Sequence, residues 1–120
     1  MAGHTKRNLS GAALDRVAER FKALSEPMRL RLIYALMDGE KTVSQLVRET
    51  EGLQANVSKH LAVLLDAGVL GRRKEGTSSY YRITDESVFE LCDLVCGSIE
   101  DRLAAELRNF SAASSAGRPS

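Results

Sequence analysis

The chain has 120 residues, of which 43% are hydrophobic and 28% charged, with a formal net charge of +1. This size and composition are ordinary for one globular domain. No apolar run approaches the roughly 20 residues of a membrane-spanning helix. The residues before Gly11 hold no apolar stretch typical of a signal peptide, so we expect a cytoplasmic protein that does not enter a membrane. With only two cysteines, a disulfide framework is not expected.

The charges are unevenly distributed along the chain. Residues 54–83 hold five basic and two acidic side chains, a net charge of +3, whereas residues 84–110 hold two basic and seven acidic ones, a net charge of −5. A basic segment next to an acidic one predicts two surfaces with different partners.

Composition divides the chain into a folded domain and two tails. Residues 1–9 and 111–120 are polar and rich in small residues, and we expect both to be disordered. His4 falls in the first tail and is expected to be solvated. The remaining residues, 10–110, form one domain without an internal repeat.

Helical periodicity begins at once within this domain. Ser10 is a suitable N-cap for a first helix, and Pro27 suits the first turn of a second one, which ends near Gly39. The stripe of the first helix consists of Leu14, Val17, Ala18, Phe21 and Leu24. In the second helix, the side chains expected to face the core are Leu30, Ile33, Leu36 and Met37.

Two further helices follow in close succession. Thr42 or Ser44 can cap a short helix that continues through Arg48, and Gly52 interrupts it. The next helix contains the stretch QANVSKHL and ends at Asp66-Ala67-Gly68, with an apolar side of Val57, Leu61, Leu64 and Leu65. A short helix, a glycine-containing turn and a second helix with a polar leading face indicate a helix-turn-helix.

A hairpin and a long helix complete the domain. Basic residues precede a tip at Glu75-Gly76-Thr77-Ser78, and the chain returns through residues 79–83, which are rich in strand formers. Asp85 can cap the last helix. Its apolar stripe consists of Val88, Cys92, Val95, Cys96, Ile99, Leu103 and Leu107.

A helix-turn-helix followed by a basic hairpin predicts a mostly helical α+β fold, the winged helix-turn-helix, with four helices, two strands and a final helix. Such a fold binds double-stranded DNA through amide, hydroxyl and cationic groups at the leading end of its second helix. The alternative is a winged-helix protein-interaction module, which steep salt dependence of duplex binding would exclude. An enzyme is not expected, because the chain offers no nucleophile–base–orienter set and no glycine-rich phosphate loop.

The stretches LSEPMRLRLIYALMDGEKTVSQLV and QANVSKHLAVLLDAGVLGRRKEGTSSYYRI resemble the ArsR/SmtB family of bacterial repressors, over about residues 14–108. The resemblance implies a homodimer, paired through its first and last helices, that binds an operator with inverted-repeat symmetry. It also implies DNA contacts from Gln54, Ala55, Asn56, Ser58, Lys59 and His60. In the wing it implies contacts from Arg72, Lys74, Gly76 and Ser78, and the basic charge of the hairpin itself adds Arg73 to the expected DNA contacts.

Members of that family usually release DNA when a metal ion, metalloid or thiol-reactive species binds, and the candidate here is the CDLVC stretch. Cys92 and Cys96 lie one helical turn apart, with Cβ atoms about 5–6 Å apart, which is too far for an unstrained disulfide. A thiophilic ion can bridge that gap, so As(III), Hg(II), Cd(II) or Cu(I) are candidate inducers, and no resident cofactor is expected. Two alternatives remain open: the cysteines only pack in an apolar seam, or they serve redox chemistry.

Overall fold

The computed structural model describes the backbone of residues 6–117 and the side chains of residues 6–111. His4 and most of the predicted N-terminal tail lie outside the described residues. The order of elements is α1 (Gly11–Leu24), α2 (Pro27–Leu36), β1 (Lys41–Thr42), α3 (Val43–Thr50), α4 (Gln54–Asp66), β2 (Leu70–Glu75), β3 (Ser78–Ile83) and α5 (Glu86–Gly117). The helix-turn-helix is therefore α3–α4, and the wing is the β2–β3 hairpin, as the sequence predicts.

The first two helices begin where their sequences predict. The Ser10 side chain accepts a hydrogen bond from the Ala13 backbone N–H at 3.1 Å, and Pro27 is the first residue of α2. Ile33 and Leu36 are buried as expected. The inward placement of Leu30 is wrong, since its side chain is 43% exposed. The buried side chains of α2 are instead Leu32, Ile33, Ala35 and Leu36.

A short strand that the sequence did not reveal ties the helices to the wing. The sheet has the order β1-β3-β2, with Lys41 opposite Tyr81 and Thr42 opposite Tyr80 in an antiparallel pair. Strand β3 is consequently the central strand, and β2 pairs with β3 from Leu70–Ile83 to Glu75–Ser78. Gly76 takes a positive φ of 63° at the tip, a conformation that glycine adopts without strain.

The core of the part that ends at Asp85 is formed by the inner sides of the helices and the base of the wing. Its fully buried large side chains are Leu32, Ile33, Leu46, Val57, Leu61, Leu64 and Val69. Arg20 of α1 forms an ion pair with Asp85. The chain folds into two compact units: the first ends at Asp85, and the second, which begins at Glu86, contains α5.

Helix α5 is longer than predicted, and only the first part of its apolar stripe is buried within the chain. It continues to Gly117, so residues 111–117 are helical where a disordered tail was predicted. Three of these seven residues are alanines, which have the highest helix propensity. Val88 and Cys92 are buried, whereas Val95, Ile99, Leu103 and Leu107 of the predicted stripe are exposed. No helix in the described part of the chain is long and apolar enough to cross a membrane.

Candidate nucleic-acid interface

The turn between α3 and α4 determines where the polar helix begins. Helix α3 starts with a capping box, in which Thr42 and Gln45 each bind the other's backbone N–H. It ends at Thr50, and its C-cap Glu51 takes a left-handed conformation with φ 56°. At Gly52 a Cβ atom would lie 2.9 Å from Val57 Cγ2 and 3.1 Å from Met28 Cε. Only glycine therefore lets the turn approach α4 and α2 this closely, and α4 begins at Gln54.

The predicted recognition residues lie on the solvent side of α4. Val57, Leu61 and Leu64 are completely buried at helical spacing, so the opposite side of the helix faces outward. The exposed predicted residues are Gln54, Ala55, Asn56, Ser58 and Lys59, and His60 is half-buried. Within residues 6–111 no side chain forms a hydrogen bond or ion pair with those of Asn56, Ser58 or Lys59. These polar groups are therefore available to an external partner.

The N-terminus of α4 adds a feature that the sequence did not predict. Its N-cap is Leu53, which is 80% exposed and provides no side-chain hydrogen bond to the helix. A capping serine or aspartate would normally satisfy an N–H of the first turn. A phosphate can accept hydrogen bonds from such N–H groups, so the leading end of α4 is chemically suited to an anion.

The three adjacent basic residues of the wing do not act alike. Alternation along β2 places Arg72 and Lys74 on one face, together with the buried Leu70, and Arg73 on the other. Among the described side chains neither Arg72 nor Lys74 has an ion-pair partner. Arg73 is paired with Glu40 and Glu75, and these carboxylates raise its pKa. Gly76 and Ser78 are exposed at or next to the wing tip.

The two cysteines lie on α5 in different environments. Cys92 is buried and Cys96 is exposed, and both are free thiols. Burial raises the pKa of the Cys92 thiol, and the charge of Cys96 raises it further. Among the described residues no group of three or more histidine, cysteine, aspartate or glutamate side chains could hold a metal ion. The pair thus offers two sulfur donors, and a third ligand would have to come from outside the described part of this chain.

The order of elements and this arrangement of polar helix and basic hairpin define a winged helix-turn-helix protein. Residues 26–70 match the family described as bacterial regulatory protein, arsR family. The chain is 38% identical over 82 residues to an HTH-type transcriptional regulator of Methanocaldococcus jannaschii, covering 68% of this chain and 92% of that protein. It is 40% identical over 76 residues to the arsenical resistance operon repressor of Bacillus subtilis, covering 62% and 72% of the two chains.

A solved structure agrees with these relatives. The homodimeric winged helix-turn-helix DNA-binding domain of a possible ArsR-family transcriptional regulator from Mycobacterium bovis superposes with a TM-score of 0.71 at 36% identity. The similarity covers 86% of this chain and 94% of that domain. The chain belongs to the ArsR family of bacterial regulatory proteins, and it is not an enzyme.

Proposed function

We propose that this chain is a transcriptional repressor that binds double-stranded DNA with the exposed face of α4 and with the wing. The observation that carries the proposal is the row of exposed polar side chains on α4, followed in the chain by a hairpin with two cations that have no ion-pair partner among the described side chains. A winged helix-turn-helix places such a helix in the major groove, where base edges can be read.

The α4 residues divide by chemistry into base and phosphate contacts. Gln54 and Asn56 carry amides that can form paired hydrogen bonds with an adenine edge. Ser58, Lys59 and His60 carry a hydroxyl, a cation and an imidazole that suit phosphate oxygens. Ala55 is small and lets the helix approach the groove closely. The base contacts would determine which operator sequence is bound, and the phosphate contacts would contribute affinity that does not depend on the sequence.

The wing would hold the neighbouring DNA backbone. Arg72 and Lys74 supply the cations, and Gly76 with Ser78 would bring the tip close to the sugar–phosphate chain. Arg73 is left out of the proposed contacts, because its guanidinium already binds two carboxylates. Because phosphate contacts do not depend on the base sequence, removing Arg72 or Lys74 should weaken binding to all duplexes to a similar extent.

The test is to replace Asn56 and Lys59 separately by alanine and measure affinity for duplexes selected by the wild type from a random library. Neither side chain is in the core, so both variants should fold. Asn56→Ala should cost about 1–3 kcal/mol and relax sequence preference, and Lys59→Ala should weaken all duplexes similarly.

Asn109→Ala and Lys22→Ala make the same chemical changes on exposed positions of α5 and α1, and they serve as matched controls. They should bind like the wild type. Wild-type affinity in both α4 variants would exclude this surface as the DNA-binding site.

The proposed repressor acts as a homodimer on an operator with inverted-repeat symmetry. Helix α1 exposes Leu14, Val17 and Phe21, and α5 exposes the apolar side chains Leu94, Val95, Ile99, Leu103, Leu107 and Phe110. Exposed apolar surface of this extent usually marks an interface. The similar Mycobacterium bovis domain is homodimeric, which supports a dimer, and the exposed apolar side chains of α1 and α5 are the surfaces that would pair in it. A two-fold dimer presents two α4 helices to successive half-sites.

We further propose that a thiophilic species bound at Cys92 and Cys96 releases the repressor from DNA. The similar Bacillus subtilis protein represses an arsenical resistance operon, and the two thiols of this chain lie one helical turn apart. As(III), Hg(II), Cd(II) and Cu(I) all favour sulfur donors. A third thiolate for As(III) or Cd(II) could come from the partner protomer if the α5 helices meet in the dimer.

Release requires that the ligand bind the DNA-free geometry more tightly than the DNA-bound one. A difference of about 2.7 kcal/mol would lower operator affinity roughly a hundredfold. Helix α5 is a suitable site for such coupling, because a shift in the dimer seam changes the distance between the two α4 helices.

Trivalent arsenic added to the wild-type complex should release it, whereas Cys92→Ser and Cys96→Ser should stay bound with near-normal affinity. The burial of Cys92 favours one competing role, in which the pair only packs. Serine variants that respond to arsenic like the wild type would establish that role. Variants that lose DNA binding outright would instead assign the cysteines to the dimer seam.

A further inference from the structure

Arg73 is the most extensively bound side chain of the wing. Its Nε donates to both carboxylate oxygens of Glu40 at 3.0 Å, and its Nη2 donates to the same carboxylate. Its Nη1 donates to Glu75 at 2.8 Å. The guanidinium also lies 4.5 Å from the ring centroid of Tyr80, its cross-strand neighbour. These contacts occupy all of the nitrogens and one face of the side chain.

The Glu40 contact links parts of the chain that are far apart in sequence. Glu40 directly precedes β1, and β1 and β2 are the two outer strands of the sheet. The ion pair therefore bridges these outer strands across β3. Backbone pairing of β1 reaches β3 only at Tyr80 and Tyr81. In β2 only Leu70 is buried in the core, and the rest of the strand has β3 as its backbone partner in the described part of the chain.

We infer that Glu40 and Arg73 anchor the wing, and that Arg73 is a positioning residue which holds β2 while Arg72 and Lys74 bind phosphate from the opposite face. The inference rests on the proposed DNA-binding function. A guanidinium bound to a carboxylate through two nitrogens has a defined orientation. Participation of Glu75 and Tyr80 makes this a network, and networks stabilise more than isolated exposed pairs do.

An anchored wing would bind DNA with a smaller loss of conformational freedom. Each side chain or loop that becomes ordered on binding reduces affinity, and a wing that is already fixed avoids part of that cost. The competing interpretation is that Arg73 is itself a phosphate ligand that Glu40 restrains. The two interpretations predict opposite signs for the removal of the Glu40 charge, because a released Arg73 would add a cation to the interface.

The experiment compares Glu40→Gln with Asp38→Asn. Both variants remove one negative charge from the same exposed turn, and Asp38 makes only a 3.5 Å contact with Lys41. Duplex affinity is measured at fixed salt, and hydrogen exchange of the amides from Arg72 to Tyr81 is measured in the free protein. Arg73→Lys is the second variant, which keeps the charge but loses the guanidinium fork.

We expect Glu40→Gln and Arg73→Lys to weaken duplex binding about fivefold, from the modest strength of exposed ion-pair networks, and to accelerate wing exchange. Asp38→Asn should do neither. Unchanged wing exchange in Glu40→Gln, or an affinity equal to or above that of the wild type, would overturn the inference. If the wild type binds no duplex, the proposed function fails, and the exchange data still decide whether Glu40 immobilises the wing.

Discussion

Side chains that are adjacent in the sequence have different surroundings in this fold. Arg72, Arg73 and Lys74 read as one basic cluster, but strand alternation directs the middle one to the opposite face, where two carboxylates bind it. The hairpin register predicts that alternation once the tip is placed at Gly76-Thr77. Glu40 could not have been predicted as a partner, because 33 residues separate it from Arg73.

The cysteines show a similar contrast at the residue scale. They share a helix, yet Cys92 is only 7% exposed whereas Cys96 is exposed to solvent. Burial favours the neutral thiol, so the pKa of Cys92 is raised and its thiolate fraction near neutral pH is reduced. Because the thiolate is the reactive form, an incoming electrophile or metal should meet Cys96 first.

This order of reaction can be measured by alkylation with iodoacetamide followed by mass spectrometry across a pH series, with each rate divided by that of the urea-unfolded chain. We expect Cys96 to react faster, and Cys92 to reach half its maximal rate at a pH above the usual range for a thiol. In Cys96→Ser the Cys92 midpoint should decrease but stay raised, since burial is the larger cause. Equal normalised rates for the two thiols would contradict this account.

Elements with strong local signals were predicted correctly. Helix α4 ends at Asp66, as predicted, because its apolar side chains recur at helical spacing and Gly68 follows, whereas its start at Gln54 was not predicted. Helix α3 begins after Thr42, where the capping box supplies a local hydrogen-bonding reason for the boundary. Such helix boundaries depend only on residues within one or two helical turns, and they can therefore be predicted from the local sequence.

Elements that depend on distant partners were missed or misjudged. Strand β1 has two residues and no alternation of its own, and it exists only because Lys41 and Thr42 pair with β3. Leu30 continues the helical spacing of α2 but lies on its exposed side. The extension of α5 past residue 110 was not predicted, because a serine-rich composition is typical of a disordered tail. The alanines of this segment nevertheless favour a helix.

The capping box of α3 makes a prediction about stability. Thr42→Ala removes the hydroxyl that accepts from the Gln45 N–H at 3.3 Å, and it should reduce the free energy of unfolding in urea by about 1 kcal/mol. Ser44→Ala, the same loss of a hydroxyl on an exposed first-turn position, is the control and should change it by less than about 0.5 kcal/mol. Identical unfolding midpoints for the two variants would show that the cap contributes nothing.

At the scale of the whole molecule, the exposed apolar residues of α5 require an explanation. Ile99 is 48% exposed and Leu103 is 52% exposed in the isolated chain, and burial of apolar area at about 25 cal/mol per Å² favours covering them. A second copy of the chain would do so, and it would also supply the second half-site contact that a single α4 lacks.

Sedimentation at micromolar concentration should therefore show a dimer for the wild type. Ile99→Asp places a charge within the exposed apolar row and should produce a folded monomer with weaker operator affinity. Ser98→Asp introduces the same charge at an exposed neighbouring position, and it should remain dimeric. A monomeric wild type would contradict the proposed assembly.

The central claim is that α4 and the wing bind the DNA backbone and bases, and the salt dependence of duplex affinity tests it most directly. If Lys59, Arg72 and Lys74 of each protomer each neutralise one phosphate, the logarithm of the association constant should fall with the logarithm of salt concentration with a slope of about −5. Absence of duplex binding at low salt, or an affinity independent of salt, would contradict the account and favour a protein-interaction module.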